Sequence, residues 1–349
     1  MKKLITMLLL IPCLLSWQSH QNDEITLLIG TYTGKGSQGI YTCRFNQQSG
    51  EFSQPQLLVE VANPSFLTLS EDEKYLYAVS EGWQAPALNA YRYDSKTRSA
   101  TLINSQPTHG GSPCHVALHQ GYAYTANYMG GSLTAFKLDE DGALGEPQLK
   151  KFSTPELQSH IHGIFEAADR KSIYVTDLGC DAVYEITPPL TLRHTTHIEK
   201  GSGPRHMVVG KKMAYLINEY SGKVTQLKKS KEGLKVVASF PSDSMGGRGS
   251  ADIHMSKDGR FLYASNRLKA DGVSTFEVKR DGSLKKIAYT DTGIHPRNFN
   301  LTPNGRYLLV AERDSDQIEI FERDAKSGKL TPTGKKITLS MPVCLIWGE

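Results

Sequence analysis

The 349-residue chain sets 40 Lys and Arg against 36 Asp and Glu, a formal net charge of +4, and is 39% hydrophobic and 22% charged. This is an ordinary globular composition, too apolar for a disordered chain. With so small a charge and no basic run interleaved with aromatics, nucleic acid is excluded as a partner.

The first twenty residues read as a separate object. Lys2 and Lys3 precede an apolar stretch from Leu4 to Leu15 that Pro12 interrupts. A short basic start and an apolar core of about a dozen residues make a secretory signal peptide over residues 1–20, too short to span a bilayer. The mature protein is therefore expected to be exported, periplasmic or secreted, with no transmembrane segment after cleavage. Pro12 occupies the place before Cys13 where lipidation requires a small residue, so a lipoprotein is the lesser alternative. Four cysteines remain, Cys43, Cys114, Cys180 and Cys344; their spacing matches no zinc motif, and free, mostly buried thiols are expected.

Residues 25–349 repeat. Phe66 to Glu81 reads as an apolar alternating segment, a polar turn and a second apolar segment, and similar copies begin at His162, Ile253 and Phe299, with shorter-turned ones at His115 and His206. That is a β-hairpin signature. Equivalent positions in the second strand are Leu28, Tyr77, Tyr124, Tyr174, Tyr215, Tyr263 and Leu309, spaced 49, 47, 50, 41, 48 and 46 residues apart. Between hairpins lie two more strand-like pieces, such as Leu88 to Tyr93 and Ala100 to Ser105. Four strands at this period make a propeller blade, and the fold class is all-β: a seven-bladed β-propeller. Ile25 to Thr33 matches only the second strand of a hairpin, and the missing first strand appears as Pro342 to Trp347. The N- and C-terminal strands are expected to pair and close the ring.

In an antiparallel hairpin the start of the first strand and the end of the second share one end. For the innermost hairpin of a blade, that end surrounds the axial channel. The leading positions of the first strand are Ser65, Cys114, His162, Arg205, Ala251 and Arg297; the closing positions of the second are Tyr32, Glu81, Tyr128, Leu178, Glu219, Arg267 and Arg313. The charges differ from blade to blade, which suits an asymmetric ligand. Arginines that converge repel one another unless an anion or carboxylate lies among them. Asp252 and His254 flank the same end as supporting residues, and His160 stands two residues from His162.

At these residues the chain resembles a known family, the seven-bladed propeller lactonases typified by bacterial 6-phosphogluconolactonase. The segments that carry the resemblance are Gly-Pro-Arg-His-Met-Val at 203–208, Asn218-Glu219, Ala-Asp-Ile-His at 251–254 followed by Asp258-Gly259-Arg260, Asn266-Arg267, Pro296-Arg297 and Phe299-Asn300; the similarity runs from Leu27 to the C-terminus. The same fold serves a fungal carboxymuconate-lactonising enzyme in which a His, two Arg and a Glu are implicated in catalysis. By position the resemblance implies that role for His162, Arg205, Glu219 and Arg267. It also implies a lactone or sugar acid as the small-molecule partner.

The expectation is hydrolysis of a sugar-type lactone. Glu219 or His162 activates water, Arg205 and Arg267 anchor the substrate and stabilise the oxyanion, and Arg297 and Arg313 hold a distal anionic group. Asp252, His254, Glu81 and Tyr128 complete the binding surface. The chemistry requires no metal and no cofactor. The expected substrate is 6-phosphogluconolactone or a related aldonolactone; since 6-phosphogluconolactone is made in the cytoplasm, export weighs toward an unphosphorylated aldonolactone or another lactone. Two other readings stay open on the same pocket: a lactonising cyclase, and a non-enzymatic propeller that binds a sugar acid or a protein partner.

Overall fold

Each alternating segment forms a strand, and four successive strands hydrogen-bond antiparallel into one blade. The computed structural model describes residues 23–348, which form seven four-stranded sheets. The signal peptide expected over residues 1–20 lies outside the described residues. Numbered from the N-terminal strand, the blades have inner strands Pro342–Gly348, Leu67–Leu69, Pro113–His119, Ile161–Glu166, Pro204–Val209, Ile253–Met255 and Pro296–Leu301. Their second strands are Glu24–Thr31, Tyr75–Ser80, Tyr122–Asn127, Ile173–Asp177, Met213–Asn218, Phe261–Asn266 and Tyr307–Glu312.

Burial follows distance from the axis. The second strand Tyr307–Glu312 is buried at every position, whereas the outermost strand Ser99–Pro107 alternates between partly covered and exposed. The core is a set of apolar clusters, each packed between neighbouring blades. One joins Leu309, Ala311 and Ile318 of blade 7 to Leu27, Ile29 and Cys43 of blade 1. The tyrosines at the repeat positions fasten blade to blade. Tyr77 donates its hydroxyl hydrogen to the carbonyl of Gly142 at 3.0 Å, Tyr215 to Gly282 at 2.7 Å and Tyr263 to Gly328 at 2.8 Å. A buried ring thus fills the interface while its polar tip finds an acceptor.

The ring closes as expected. Glu24–Thr31 is flanked by Gly39–Asn46 on one side and by Pro342–Gly348 on the other. Blade 1 is therefore built from both ends of the chain, and no open sheet edge remains between blades 7 and 1. Cys43, Cys114, Cys180 and Cys344 are free thiols, all buried except the partly covered Cys180.

Candidate active site on the propeller axis

Five of the seven inner strands step out of register at one residue near their start. Pairing with the second strand skips Val343, Cys114, His162, Arg205 and Arg297 in turn. A bulge of this kind re-aims the extra residue, and here each one turns its side chain toward the axis. These five residues, with Ser65 of blade 2, line a single small cavity together with Phe66, His206 and Asn298. Ala251 holds the corresponding place in blade 6.

Above this ring the charged side chains converge. Arg205, only 1% exposed, donates from Nε to Glu219 Oε2 at 2.9 Å and from Nη1 to the carbonyl of Ala251 at 2.6 Å. The same Glu219 oxygen lies 3.3 Å from Arg267 Nη2. Arg267 is fixed on two further sides, by the carbonyl of Gly249 at 2.6 Å and by His295 Nε2 at 2.9 Å. Across the pocket Arg297 lies over the Tyr32 ring, 5.3 Å from its centroid, and 3.8 Å from Glu81. Tyr32 donates to Glu81 at 2.9 Å.

The electrostatics follow from this crowding. Burial, then the neighbouring Arg297, pulls Arg205 below the usual arginine range; burial and Arg205 do the same to Arg267. Burial also opposes the charge of Arg297, but Tyr32 and Glu81 hold it up. Guanidinium groups this basic stay protonated at neutral pH, so the pocket wall is cationic. His162 is held well below the ordinary histidine range, first by burial and then by Arg205. It is therefore a neutral imidazole at neutral pH, and its Nδ1 is buried without a protein partner among the described residues.

The structure thus brings together His162, Arg205, Glu219, Arg267, Arg297 and Glu81. Tyr128 joins them at the rim, its ring 5.8 Å from His162 and stacked on His160 at 4.6 Å. Three predicted residues sit differently. Arg313 begins a short 3-10 turn, Arg313–Ser315, that sets it beside Asp314, and its guanidinium makes two bonds to that carboxylate, at 2.7 and 2.8 Å. Asp252 lies one residue below the ring, buried, and accepts from His206 Nδ1 at 2.8 Å. His254 does not flank the mouth: it stands two residues further along the strand, about 7 Å deeper, and meets Asp252 from the far side at 3.1 Å.

Two histidines were not among the sequence candidates. His295 bridges Arg267 and Asp314, the latter 3.4 Å away. His206 packs against His162, with ring centroids 5.1 Å apart. Each is next in sequence to a pocket arginine or one residue removed from it, and that adjacency was the available signal.

The family model that describes lactonases with a seven-bladed β-propeller matches residues 26–347. A 6-phosphogluconolactonase from Formosa agariphila is 35% identical over 90% of this chain and 97% of its own length, and one from Bacillus subtilis is 29% identical over 91% and 96%. Among solved structures, a Bacteroides fragilis protein superposes with a TM-score of 0.91 at 41% identity, covering 95% of this chain and 100% of that one. The periplasmic gluconolactonase of Pseudomonas aeruginosa superposes with a TM-score of 0.89 at 28% identity, covering 93% and 99%.

Proposed function

The chain belongs to the seven-bladed β-propeller lactonase family, and from that premise we propose that it opens a sugar-type lactone, gluconolactone or its 6-phosphate, to the free acid in the axial pocket. The observation that carries this reading is the surplus of guanidinium over carboxylate. Among the described residues, Arg205, Arg267 and Arg297 form ion pairs with two carboxylates, Glu219 and Glu81. A lactone gains negative charge on its carbonyl oxygen as water adds, and ends as a carboxylate. A cationic wall fixed before the substrate arrives favours both states.

In this mechanism Arg205 and Arg267 receive the developing oxyanion, and Arg297 anchors the hydroxyl-rich or phosphorylated end of the substrate. Glu219 fixes the first two arginines through one oxygen, accepting from Arg205 and pairing with Arg267. Neutral His162, in the tautomer that leaves the Nδ1 lone pair free, takes the proton of the attacking water. As the ring C–O bond breaks, that proton passes to the ring oxygen. Arg313 turns the Nε and Nη2 edge of its guanidinium to Asp314 and contributes charge at the rim. Glu219 as the base is the alternative for the same step; His162→Ala decides between them, since turnover retained by that variant would leave Glu219 as the base.

We further propose that residues 1–20 direct export. The likeness to a periplasmic gluconolactonase supports this location, and the location favours the unphosphorylated lactone. Fractionation of cells expressing the full chain tests it.

The test of function is acid release at constant pH by the mature protein on 6-phosphogluconolactone, gluconolactone, galactonolactone and a carboxymuconolactone. An Arg205→Ala/Glu219→Gln double variant runs beside it to subtract spontaneous opening. Release above that variant names the substrate. Equal rates on every lactone would overturn hydrolysis and leave a propeller that binds a sugar acid.

A further inference from the structure

Three polar side-chain atoms beneath the arginines, each from a different blade, are buried and without a protein partner among the described residues: Ser65 Oγ, His162 Nδ1 and His206 Nε2. The residues that carry them are 2%, 5% and 4% exposed. All three line the cavity enclosed by the bulged ring, which Arg205 and Arg297 also line. Its interior leaves about 10 Å³ for the centre of a water molecule, which is room for one water and for nothing larger. A buried donor or acceptor left unmet costs about 1–3 kcal/mol, so three facing one polar cavity describe a binding site. Among the described residues no group of His, Cys, Asp or Glu is placed to hold a metal ion.

His206 is set by a carboxylate. Its Nδ1 lies 2.8 Å from Asp252 Oδ1, and Asp252 is itself held by Asn298 Nδ2 at 2.5 Å, by the backbone N–H of Ile253 at 2.9 Å and by His254 Nε2 at 3.1 Å. Burial opposes the charge of Asp252, but His254 and His206 hold it well below the usual carboxylate range. An ionised carboxylate only accepts. His206 Nδ1 therefore donates, and Nε2 keeps its lone pair free. The carboxylate orients the imidazole as in a hydrolytic triad, although no nucleophilic side chain is needed here.

We propose that this cavity holds the hydrolytic water and that His206, fixed by Asp252, is a second catalytic histidine that orients it. This inference rests on the hydrolytic reading given above. The water donates one hydrogen to His162 Nδ1 and the other to His206 Nε2. Ser65 donates to one of its lone pairs, and the other faces the lactone carbonyl carbon under the arginines. On attack the water oxygen bonds to that carbon, and one proton passes to His162. The second stays on the new carboxyl group, facing His206. The ring C–O bond then breaks, the ring oxygen takes the proton from His162, and the carboxylic acid ionises to solvent.

The experiment has two arms. The first compares kcat and KM of wild type, His206→Gln, Asp252→Asn and Ser65→Ala on the responsive lactone, with melting temperatures alongside. A fall in kcat of roughly 100-fold for the first two, with KM nearly unchanged and a smaller loss for Ser65→Ala, is expected. A folded His206→Gln protein with wild-type kcat overturns the proposal. The second arm is a high-resolution crystal structure of the wild-type mature protein. Density for a water within about 3.2 Å of the three atoms supports the site; an empty or differently filled cavity overturns it. If the wild type opens no lactone, the hydrolytic reading fails, and the crystallographic arm still decides whether the water is held.

Discussion

One oxygen of Glu219 serves two arginines: it accepts a hydrogen bond from Arg205 Nε at 2.9 Å and forms an ion pair with Arg267 Nη2 at 3.3 Å. One carboxylate thus holds two cations that would otherwise repel, at the place where the proposed mechanism forms the product's own carboxylate. Replacing it by glutamine keeps the shape and removes the charge. The Glu219→Gln variant is expected to bind the product acid about tenfold more tightly while losing turnover, because both guanidiniums are then short of an anion. Calorimetric titration with gluconate checks this, and weaker binding by the variant would count against the assignment.

Gly163 lies between the bulged residue His162 and Phe165. A Cβ added there would stand 2.7 Å from the carbonyl oxygen of Arg205 and 2.5 Å from the Phe165 ring. That carbonyl is already fixed by the hydroxyl of Thr176 at 2.6 Å. Gly163→Ala must therefore shift the Arg205 bulge, at a cost of about 1–3 kcal/mol in stability and at least tenfold in kcat/KM. Chemical unfolding and steady-state kinetics on the same preparation measure both. Unaltered activity would show that the bulge geometry does not set the site.

Four buried histidines give the fold a defined acid limit. Burial lowers His115 and His162 well below the ordinary range, His206 to about 4 and His295 to about 3. A folded pKa below the unfolded value of about 6.5 means that the unfolded chain takes up protons first as pH falls. Stability present above about pH 6.5 is lost progressively below it, up to about 2 kcal/mol per histidine at pH 5. Glu312 acts in the opposite sense. Burial raises it to about 7, so ionising it costs stability as pH rises from about 4.5 to 7. The histidines outnumber it, and the urea midpoint is expected to be lower at pH 5 than at pH 7.5. An equal or higher midpoint at pH 5 contradicts this sign.

Deleting residues 342–349 removes the inner strand of blade 1. Val343, Cys344 and Leu345 are buried there, and the Trp347 indole donates to the carbonyl of Leu301 at 2.7 Å. At about 1.5–3 kcal/mol for each large buried side chain, the loss rivals the whole stability of a typical domain. The truncated chain is expected to show no cooperative thermal transition, as differential scanning calorimetry reads it. A retained transition would refute closure by this strand.

The blades were legible because a repeated hairpin repeats its pattern. The tyrosines at 77, 124, 174, 215 and 263 mark one position five times, and all five are buried. The charged pocket followed from asking which positions share an end of the hairpin, and this brought out Arg205, Glu219 and Arg267 before any contact was known. The bulges were not legible, since register against the partner strand is not written in either strand alone. Val343 escaped notice for that reason, and so did His206. In a regular strand the neighbour of an axial residue faces away, but a bulge lets consecutive side chains both approach the channel. The depth of His254 depends on strand rise, and the capture of Arg313 by Asp314 depends on a 3-10 turn that breaks the strand pattern.

The order of residues around the bulged ring has a stereochemical consequence. Going from blade to blade, Val343, Ser65 and Cys114 form one small, uncharged arc, and His162, Arg205, Ala251 and Arg297 form the arc that carries both charges of the ring. The sequence cannot be superposed on its reverse. A ring-shaped ligand seated on the axis above this ring meets the guanidiniums of Arg205 and Arg297 along one arc only, in a fixed rotational sense. A lactone and its mirror image present their hydroxyl groups in opposite senses, so only one hand can match all the contacts together. In the proposed function, handedness is therefore read by the circular order of the blades.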